Sequence, residues 1–327
     1  MKKNVLLLFL ALMLIFVLAA CGGEQASGDE SGESNENDSE SSEDVDSEEP
    51  SEVTITHEFG EVTVPLNPEK VVVFDMNTLE SLDKMGVEVT GVPQANIPSY
   101  LDKYEDASYE NIGSFFEIDF EKIAEINPDL IVISGRQQEH YDELSSIGPT
   151  LYMAIDYNNY LDSFKNNMTI LGQIFDQEEF IASELAAIDE AIAFINEKVS
   201  AEETGLVVLA NQGNVNAYGT GSRFGIIHDE FGITPADEGI EVSTHGMNVS
   251  FEYIVDKDPD YLFVVDRDAV TTGESAAKNT IENELVQNTK AYQNDNIYYL
   301  DPSYWYVAGG GLVSLNEMVK AIEEALQ

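Results

Sequence analysis

Short apolar runs alternate with helical patterns along most of the chain. Continuous apolar runs at 70–75, 130–133 and 205–211 are typical of buried strands, because both faces of such a strand are covered. Helical segments that end at Gly86 and before Pro128 separate these runs. Strands that alternate with helices indicate a parallel sheet built from βαβ units, so the pattern predicts an α/β fold.

Further elements follow from the same patterns. Residues 52–65, EVTITHEFGEVTVP, alternate apolar and polar positions around Phe59 and Gly60, which predicts a β-hairpin. The remaining predicted elements are a strand at 87–93, strands at 205–211, 214–219 and 296–301, a helix at 223–232 and a last helix from about Gly311.

The longest helical pattern lies in the middle of the chain. Its apolar residues follow alternating spacings of four and three, and they are Ile181, Leu185, Ile188, Ile192, Ile195 and Val199. Such a helix is about 33 Å long at 1.5 Å per residue. We therefore predict two Rossmann-like α/β lobes, at 53–176 and 201–327, bridged by one long helix at 177–200.

One segment occurs twice, once in each predicted lobe. IDFEKIAEINPDLIVISGR (118–136) and VSFEYIVDKDPDYLFVVDR (249–267) are identical at six of 19 positions. Each copy reads as a helix, a proline that ends it, a buried strand and an arginine. Because open α/β sheets bind ligands at the carboxyl ends of their strands, Arg136 and Arg267 are candidate ligand contacts.

Charge makes these arginines more informative. The chain has 62 acidic and 15 basic residues, and only Arg136, Arg223 and Arg267 are arginines. Such acidity argues against nucleic acid or an anionic membrane face as the main partner. Arg223 lies in a glycine-rich turn, YGTGSRFG, so three guanidinium groups converge on a cleft if the lobes face each other. That arrangement favours an aromatic anion, because guanidinium is always charged and stacks on rings; the alternative is pairing with surface carboxylates.

A histidine and an aromatic cluster are further candidates. His245 lies in a loop-like segment, and DPSYWYVAGGG places Trp305 and Tyr306 just after a predicted strand. An imidazole and a phenolate can both occupy coordination positions on ferric iron. The ordinary structural alternatives are a hydrogen-bonded loop histidine and aromatic packing against the lobe.

The N-terminal segment has a different pattern. A charged start and a 16-residue apolar run that ends at Ala20 predict a signal peptide at 1–20. The alternative, a transmembrane anchor, needs roughly 17 to 25 apolar residues. The residues LAAC, ending at Cys21, resemble the lipobox of bacterial lipoproteins, in which the cysteine is lipidated. Because the 29 residues at 24–52 include 13 acids and little to bury, we predict that 21–52 form a solvated tether.

Together these features resemble the siderophore-binding lipoproteins of the iron and cobalamin uptake family of ABC transporters. Within that family the chain is most similar to the catecholate group that includes petrobactin-binding proteins, and the resemblance covers residue 53 onward. It implies the class III periplasmic-binding-protein fold, a monomer without an intrinsic cofactor, a ferric catecholate siderophore as the transported ligand and an ABC permease as the partner.

The resemblance also implies roles for single residues. The implied ligand-binding residues are Arg136, Arg223, His245, Arg267, Trp305 and Tyr306. Of these, His245 and Tyr306 would complete the iron shell when a siderophore supplies only four donors. Glu121 and Glu252 would dock onto the permease, and Cys21 would anchor the chain to the outer face of the cell membrane.

Other functions stay open at this stage. Haem, cobalamin or hydroxamate siderophores suit the same scaffold, although a neutral hydroxamate complex does not need three arginines. A bare-metal transporter is disfavoured because the four histidines are scattered. A surface hydrolase is disfavoured because the chain lacks G-x-S-x-G, H-E-x-x-H and P-loop motifs. A surface adhesion or sensor lipoprotein would share the tether but would not need converging arginines.

Overall fold

The computed structural model describes residues 51–327. The predicted signal peptide, Cys21 and nearly all of the predicted tether lie outside the described residues. Within 51–327, no helix has the length and apolar character needed to cross a membrane.

The N-terminal half contains a hairpin and a five-stranded sheet. Its strands are β1 (Glu52–His57), β2 (Gly60–Pro65), β3 (Val71–Val73), β4 (Gly91–Val92), β5 (Glu110–Asn111), β6 (Leu130–Ile133) and β7 (Thr150–Tyr152). Its helices are α1 (Met76–Met85), α2 (Phe120–Ile126), α3 (Tyr141–Ser145) and α4 (Tyr160–Ile174). The sheet order is β5-β4-β3-β6-β7 with all pairs parallel, which confirms the βαβ prediction for this half.

Local signals explain where these elements end. Gly86 closes α1 in the left-handed conformation at φ 74°, which a residue with a side chain rarely adopts. The hairpin is also present, with its turn at Glu58 and Phe59. The strand expected at 87–93 is shorter than predicted, because only Gly91–Val92 pairs with its neighbours.

The C-terminal half contains a second sheet. Its strands are β8 (Thr204–Asn211), β9 (Asn214–Tyr218), β10 (Thr234–Pro235), β11 (Met247–Val249), β12 (Tyr261–Asp266) and β13 (Ile297–Leu300). Its helices are α6 (Ile226–Asp229), α7 (Phe251–Lys257), α8 (Arg267–Thr271), α9 (Ala277–Ile281), α10 (Lys290–Gln293) and α11 (Ser314–Ala325). Helix α6 is shorter than the helix predicted at 223–232. Helix α11 begins at Ser314, slightly later than the predicted start at about Gly311.

This second sheet is mixed rather than parallel. Its order is β11-β9-β8-β12-β13, with β10 beside β8. Strands β8, β12 and β13 pair in parallel, but β8 and β9 form an antiparallel hairpin. The reason is the two-residue turn Gln212–Gly213, where both φ angles are positive, as in tight hairpin turns. The expectation of parallel pairing is therefore wrong for β9. Strand β11, which the sequence patterns do not predict, also pairs antiparallel with β9.

One long helix, α5 (Glu178–Lys198), separates the two halves in sequence. It has 21 residues and buries Ile181, Ile188, Ile192 and Ile195, as its spacing predicts. These isoleucines share one apolar core with residues of β3, β8, β12 and α11, so the core continues from one half into the other. The lobe boundaries at 53–176 and 201–327 stay a prediction.

Candidate ligand-binding site

Arg136 lies just beyond β6, in the short 3₁₀ turn Gly135–His140. The turn is anchored by Gln137, which is fully buried and donates through Nε2 to the carbonyl of Phe115 at 3.0 Å. The guanidinium of Arg136 lies 4.6 Å from the centre of the Phe115 ring. The strand end and the Phe115 loop therefore hold this arginine together.

Arg267 occupies the equivalent position beyond β12, as the first residue of α8. Asp266 caps that helix, because one carboxylate oxygen accepts from the N–H groups of Asp268 and Ala269 at 3.1 and 3.3 Å. The Nη1 group of Arg267 donates to Asn211 Oδ1 at 2.8 Å. Asn211 ends the neighbouring strand β8, so two adjacent strand ends position this guanidinium.

Arg223 lies in the glycine turn between β9 and α6. Gly221 adopts φ 64°, and its N–H donates to Asp229 Oδ2 at 2.7 Å. The buried Ser222 hydroxyl donates to the Gly219 carbonyl at 2.5 Å and closes the turn. The backbone of the turn is therefore fixed while the Arg223 side chain extends from it.

All three arginines meet on one residue. Arg136 donates to the carbonyls of Tyr306 and Val307 at 3.2 and 3.3 Å, and Arg223 also donates to the Tyr306 carbonyl. Arg267 Nε donates to the Tyr306 hydroxyl at 2.8 Å, and the Arg223 guanidinium lies 4.3 Å from the centre of that ring. The fold thus brings all three predicted arginines together, although they come from both halves of the chain.

The shared residue belongs to a one-turn π-helix, Ser303–Val307, which follows β13 and which we call the Tyr306 turn. Single π turns interrupt regular hydrogen bonding and are frequent at functional sites. The turn is followed by three consecutive glycines, Gly309–Gly311, of which Gly309 adopts φ 101°.

The electrostatics of the arginine cluster are unusual for so acidic a chain. Within the described residues every ion pair is made by a lysine, so none of the three arginines forms a salt bridge with a carboxylate. This finding contradicts the alternative that each arginine pairs with a surface carboxylate. Burial lowers the pKa of Arg136, and the neighbouring Arg223 lowers it further. An anionic ligand would relieve this repulsion.

A cleft of about 940 Å³ opens beside the cluster. Its charged and aromatic lining residues are Phe115, Phe116, Arg136, Asp266, Arg267, Lys278, Tyr299, Asp301 and Tyr306. Phe116 is 73% exposed at the cleft wall, which is high for a large apolar side chain. The cleft thus offers cations and aromatic faces in a volume typical of small-molecule sites.

Three of the expected ligand-binding residues do not line the cleft. Arg223 contacts Tyr306 but is not among the lining residues. Trp305 is only 3% exposed and belongs to the apolar core, so it supports the Tyr306 turn from behind and does not line the cleft. His245 is exposed on the loop before β11 and does not line the cleft either. Within residues 51–327, no cluster of three or more His, Cys, Asp or Glu side chains has a metal-binding arrangement.

The two candidate docking glutamates occupy equivalent positions. Glu121 and Glu252 are exposed in the first turns of α2 and α7. Asp119 and Ser250 cap these two helices through their side chains.

Several contacts escaped the sequence analysis. Asn211, Phe115, Phe116 and Lys278 belong to the arginine site or its cleft, yet none was singled out. Asn211 does end a predicted strand, so the strand-end argument that identified Arg267 applies to it as well. The other three depend on loop conformation.

Comparison with known proteins gives a consistent result. The model of the periplasmic binding protein family matches residues 71–304. The chain is 42% identical to the petrobactin-binding protein YclQ of Bacillus subtilis, over 99% of both chains. It is 30% identical to the ferric-anguibactin-binding protein FatB of Vibrio anguillarum, over 84% of this chain and 88% of the other.

Solved structures agree with these relatives. The crystal structure of YclQ from Bacillus subtilis matches with a TM-score of 0.82 and 44% identity, over 84% of this chain and 99% of the other. The periplasmic catecholate-siderophore binding protein VctP of Vibrio cholerae matches with a TM-score of 0.78 and 36% identity, over the same shares of the chains. The fold is thus that of the class III periplasmic binding proteins, as predicted.

Proposed function

Because the chain belongs to the periplasmic binding protein family, we propose that it is the substrate-binding component of an ABC importer for iron. It captures a ferric catecholate siderophore of the petrobactin type and delivers it to the permease. The relatives described above are all named as binding proteins, which supports a role in transport. The siderophore is the cargo and not a resident cofactor.

The observation that carries this proposal is the meeting of three arginines on Tyr306, where Arg136 and Arg267 line the cleft and Arg223 lies behind the same residue. A ferric tris-catecholate centre is trianionic, so three guanidinium groups without carboxylate partners match its charge. Each charge-assisted contact contributes about 1.5 to 3 kcal/mol. The aromatic faces of Phe115, Phe116 and Tyr306 beside them suit catechol rings. A neutral ligand would leave the arginine charges uncompensated.

Finer features of the proposal concern the partners. Lipidated Cys21 holds the protein outside the cytoplasm, and the acidic tether extends the fold from the membrane. Glu121 and Glu252 contact cationic residues of the permease, one from each half of a monomer. His245 and Tyr306 supply iron donors when the siderophore has only four of its own, which requires the His245 loop to move towards the cleft.

Fluorescence titration tests the proposal directly. Trp305 is the only tryptophan and lies next to Tyr306, so its emission reports on the cleft. We expect quenching by ferric petrobactin and by a ferric tris-catecholate, and none by a ferric hydroxamate. Arg136→Ala, Arg223→Ala and Arg267→Ala should each weaken binding by roughly tenfold to a hundredfold, because each removes one charge-assisted contact.

Lysine variants provide the matched control. Lys84→Ala and Lys198→Ala remove the same charge from α1 and α5, away from the cleft, and should leave the affinity unchanged. Equal losses in the arginine and lysine variants would contradict the assignment of the cleft. Quenching by no siderophore would mean that the ligand is wrong, and haem and cobalamin would then be titrated.

A further inference from the structure

Glu80 is a fully buried carboxylate on α1 that contacts Ser314, the first residue of α11. Its Oε1 atom accepts hydrogen bonds from the N–H and the hydroxyl of Ser314 at 2.7 and 2.5 Å. Its Oε2 atom accepts from the Tyr100 hydroxyl. Glu80 is 0% exposed and lies 234 residues from Ser314 in sequence. Burying a carboxylate is costly unless it is fully hydrogen-bonded, so this placement is energetically demanding.

The contact extends into the glycine segment Gly309–Gly311. The Ser314 hydroxyl, which donates to Glu80, accepts from the N–H groups of Gly310 and Gly311 at 3.1 Å each. There is no space between this segment and the N-terminal half. A Cβ atom on Gly310 would lie 2.6 Å from Ile155, and one on Gly311 would collide with the Glu80 carboxylate. The glycines therefore lie directly against α1.

The glycine segment Gly309–Gly311 follows the Tyr306 turn closely in sequence. Tyr100, which donates to Glu80, packs its ring 4.6 Å from that of Tyr304 in this turn. On the other side, Arg136 donates to the carbonyls of Tyr306 and Val307. The N-terminal half therefore contacts the Tyr306 turn and the segment after it in two ways. One contact is made by Arg136, and the other by Glu80 together with its hydrogen-bond partner Tyr100.

We propose that Glu80 is a positioning residue of the ligand cleft: its carboxylate holds the Tyr306 turn in register with the three arginines, and its protonation loosens the turn. An ionised carboxylate accepts hydrogen bonds at both oxygens, whereas a protonated one must donate at one of them. The donors from Ser314 and Tyr100 then compete for the remaining acceptor positions. The effect on ligand affinity rests on the function proposed above, but the effect on the turn does not.

The surroundings of Glu80 favour proton uptake near neutral pH. Burial raises the pKa of Glu80 to about 7, although the hydrogen bonds from Ser314 and Tyr100 oppose this rise. Asp75, which caps α1, raises the Glu80 pKa further. The titratable groups that face Glu80 are Asp75, Tyr100, Tyr160 and Tyr304, and none of these is basic.

The first test needs no ligand. The emission of Trp305 in the purified full-length chain is recorded between about pH 5 and pH 9. We expect one transition near neutral pH in the wild type and none in Glu80→Gln, which keeps the side-chain shape but does not titrate. Glu190→Gln removes an exposed carboxylate from α5 and should titrate like the wild type.

The second test uses ferric petrobactin as the probe at the same pH values. The affinity of the wild type should fall about tenfold relative to that of Glu80→Gln as the pH decreases from about 8 to about 6. Titration of the siderophore itself cancels in this ratio. Ile254→Ala, which creates a cavity in a separate apolar core, is the control for lost stability and should show the wild-type pH profile.

Ser314→Ala provides a second variant in case Glu80→Gln does not fold. It removes the hydroxyl that connects Glu80 to the two glycine N–H groups, so at least about half of the Trp305 transition should be lost. A transition that persists in both variants, or a Glu80→Gln affinity profile identical to that of the wild type, would overturn the proposal. If ferric petrobactin does not bind at all, the proposed function fails and the ligand-free titration alone decides the role of Glu80.

Discussion

Tyr306 provides oxygen atoms that all three arginines contact. Its carbonyl accepts from Arg136 and Arg223, and its hydroxyl accepts from Arg267. A bound siderophore has to compete with these oxygens for the same donors. The gain from each new contact is therefore the difference between a charged and a neutral acceptor, which is smaller than the full energy of a charge-assisted hydrogen bond.

The Tyr306 hydroxyl offers a way to separate its two possible roles. Tyr306→Phe removes the bond to Arg267 but keeps the carbonyl that Arg136 and Arg223 contact. If the phenolate supplies an iron donor, this variant should weaken binding of a tetradentate ferric siderophore by about tenfold or more. Binding of a hexadentate tris-catecholate should change by less than about threefold, because that ligand fills the iron shell itself.

Absorbance gives an independent measurement of the same interaction. A ferric catecholate already has a charge-transfer band, and a phenolate ligand shifts it, so the band of the tetradentate complex should shift on binding to the wild type and not on binding to Tyr306→Phe. His245→Ala serves as the companion variant, since it removes the other expected donor. Equal affinities of wild type and Tyr306→Phe for both ligand classes would eliminate Tyr306 as an iron ligand.

At the scale of elements, the cap of α8 determines how Arg267 is presented. Besides the two N–H groups of its own helix, Asp266 accepts from the Ser275 hydroxyl at 2.9 Å and from the N–H groups of Ala276 and Ala277 at 3.1 Å each. Asp266→Ala should lower the free energy of unfolding by about 2 to 3 kcal/mol, because these buried donors lose their acceptor. Urea unfolding measures this change.

Ligand affinity should also fall in Asp266→Ala, because the capped helix no longer holds Arg267 in place. The loss of a negative charge from the cleft acts in the opposite direction, and we expect it to be the smaller effect. The matched control is Asp119→Ala at α2, where the exposed cap accepts from Lys122 N–H at 2.9 Å. It should cost about 1 kcal/mol of stability and leave ligand affinity unchanged. Tighter ligand binding by Asp266→Ala would mean that its charge matters more than its capping.

The elements that the sequence predicts best are those with local causes. Both copies of the repeated unit form the expected helix and strand, because proline, the caps and the apolar runs act over a few residues. The antiparallel β8–β9 hairpin depends on two positive φ angles in one turn, which the pattern of apolar runs does not reveal. Helix α4 also has a local signal, since its buried residues Tyr160, Phe164, Met168 and Leu171 are four, four and three residues apart. The two-residue strand β4 is too short for its periodicity to predict it.

The same distinction applies to the site. Arg136 and Arg267 were predictable because strand ends lie at one edge of a sheet. The burial of Trp305 was not predictable, because it depends on which side of the Tyr306 turn faces the core. Glu80 gives no local signal either, since its contact with Ser314 joins residues that are distant in sequence.

For the whole molecule, the distribution of charge is more informative than its total. Residues 53–327 contain 49 acidic and 13 basic residues, yet all three arginines contact the same residue, Tyr306, beside one cleft. At physiological salt the screening length is about 8 Å, so exposed acids farther away act weakly on a ligand inside the cleft. Anion binding is therefore a local property in a chain that is otherwise strongly acidic.

Buried carboxylates make the stability of the whole fold depend on pH in an unusual direction. Burial raises the pKa values of Asp75 and Glu80, so both bind protons more tightly in the folded chain than in the unfolded chain. The stability contributed by such a group is fully present below its unfolded pKa and is lost as the pH rises through its folded pKa. Carboxylates with lowered pKa values, such as Asp237, act in the opposite direction.

Comparison of wild type with Glu80→Gln isolates the contribution of Glu80. Its pKa rises from 4.5 to about 7 on folding. The stability of the wild type relative to the variant should therefore decrease by about 3 kcal/mol as the pH rises from about 4.5 to about 7.5, since one pKa unit corresponds to ~1.4 kcal/mol. Urea unfolding followed by Trp305 emission at several pH values measures this difference, and Glu190→Gln should show no such trend. A difference that is constant with pH would mean that Glu80 titrates alike in the folded and unfolded chains, and that the network around Ser314 holds the Tyr306 turn without responding to protons.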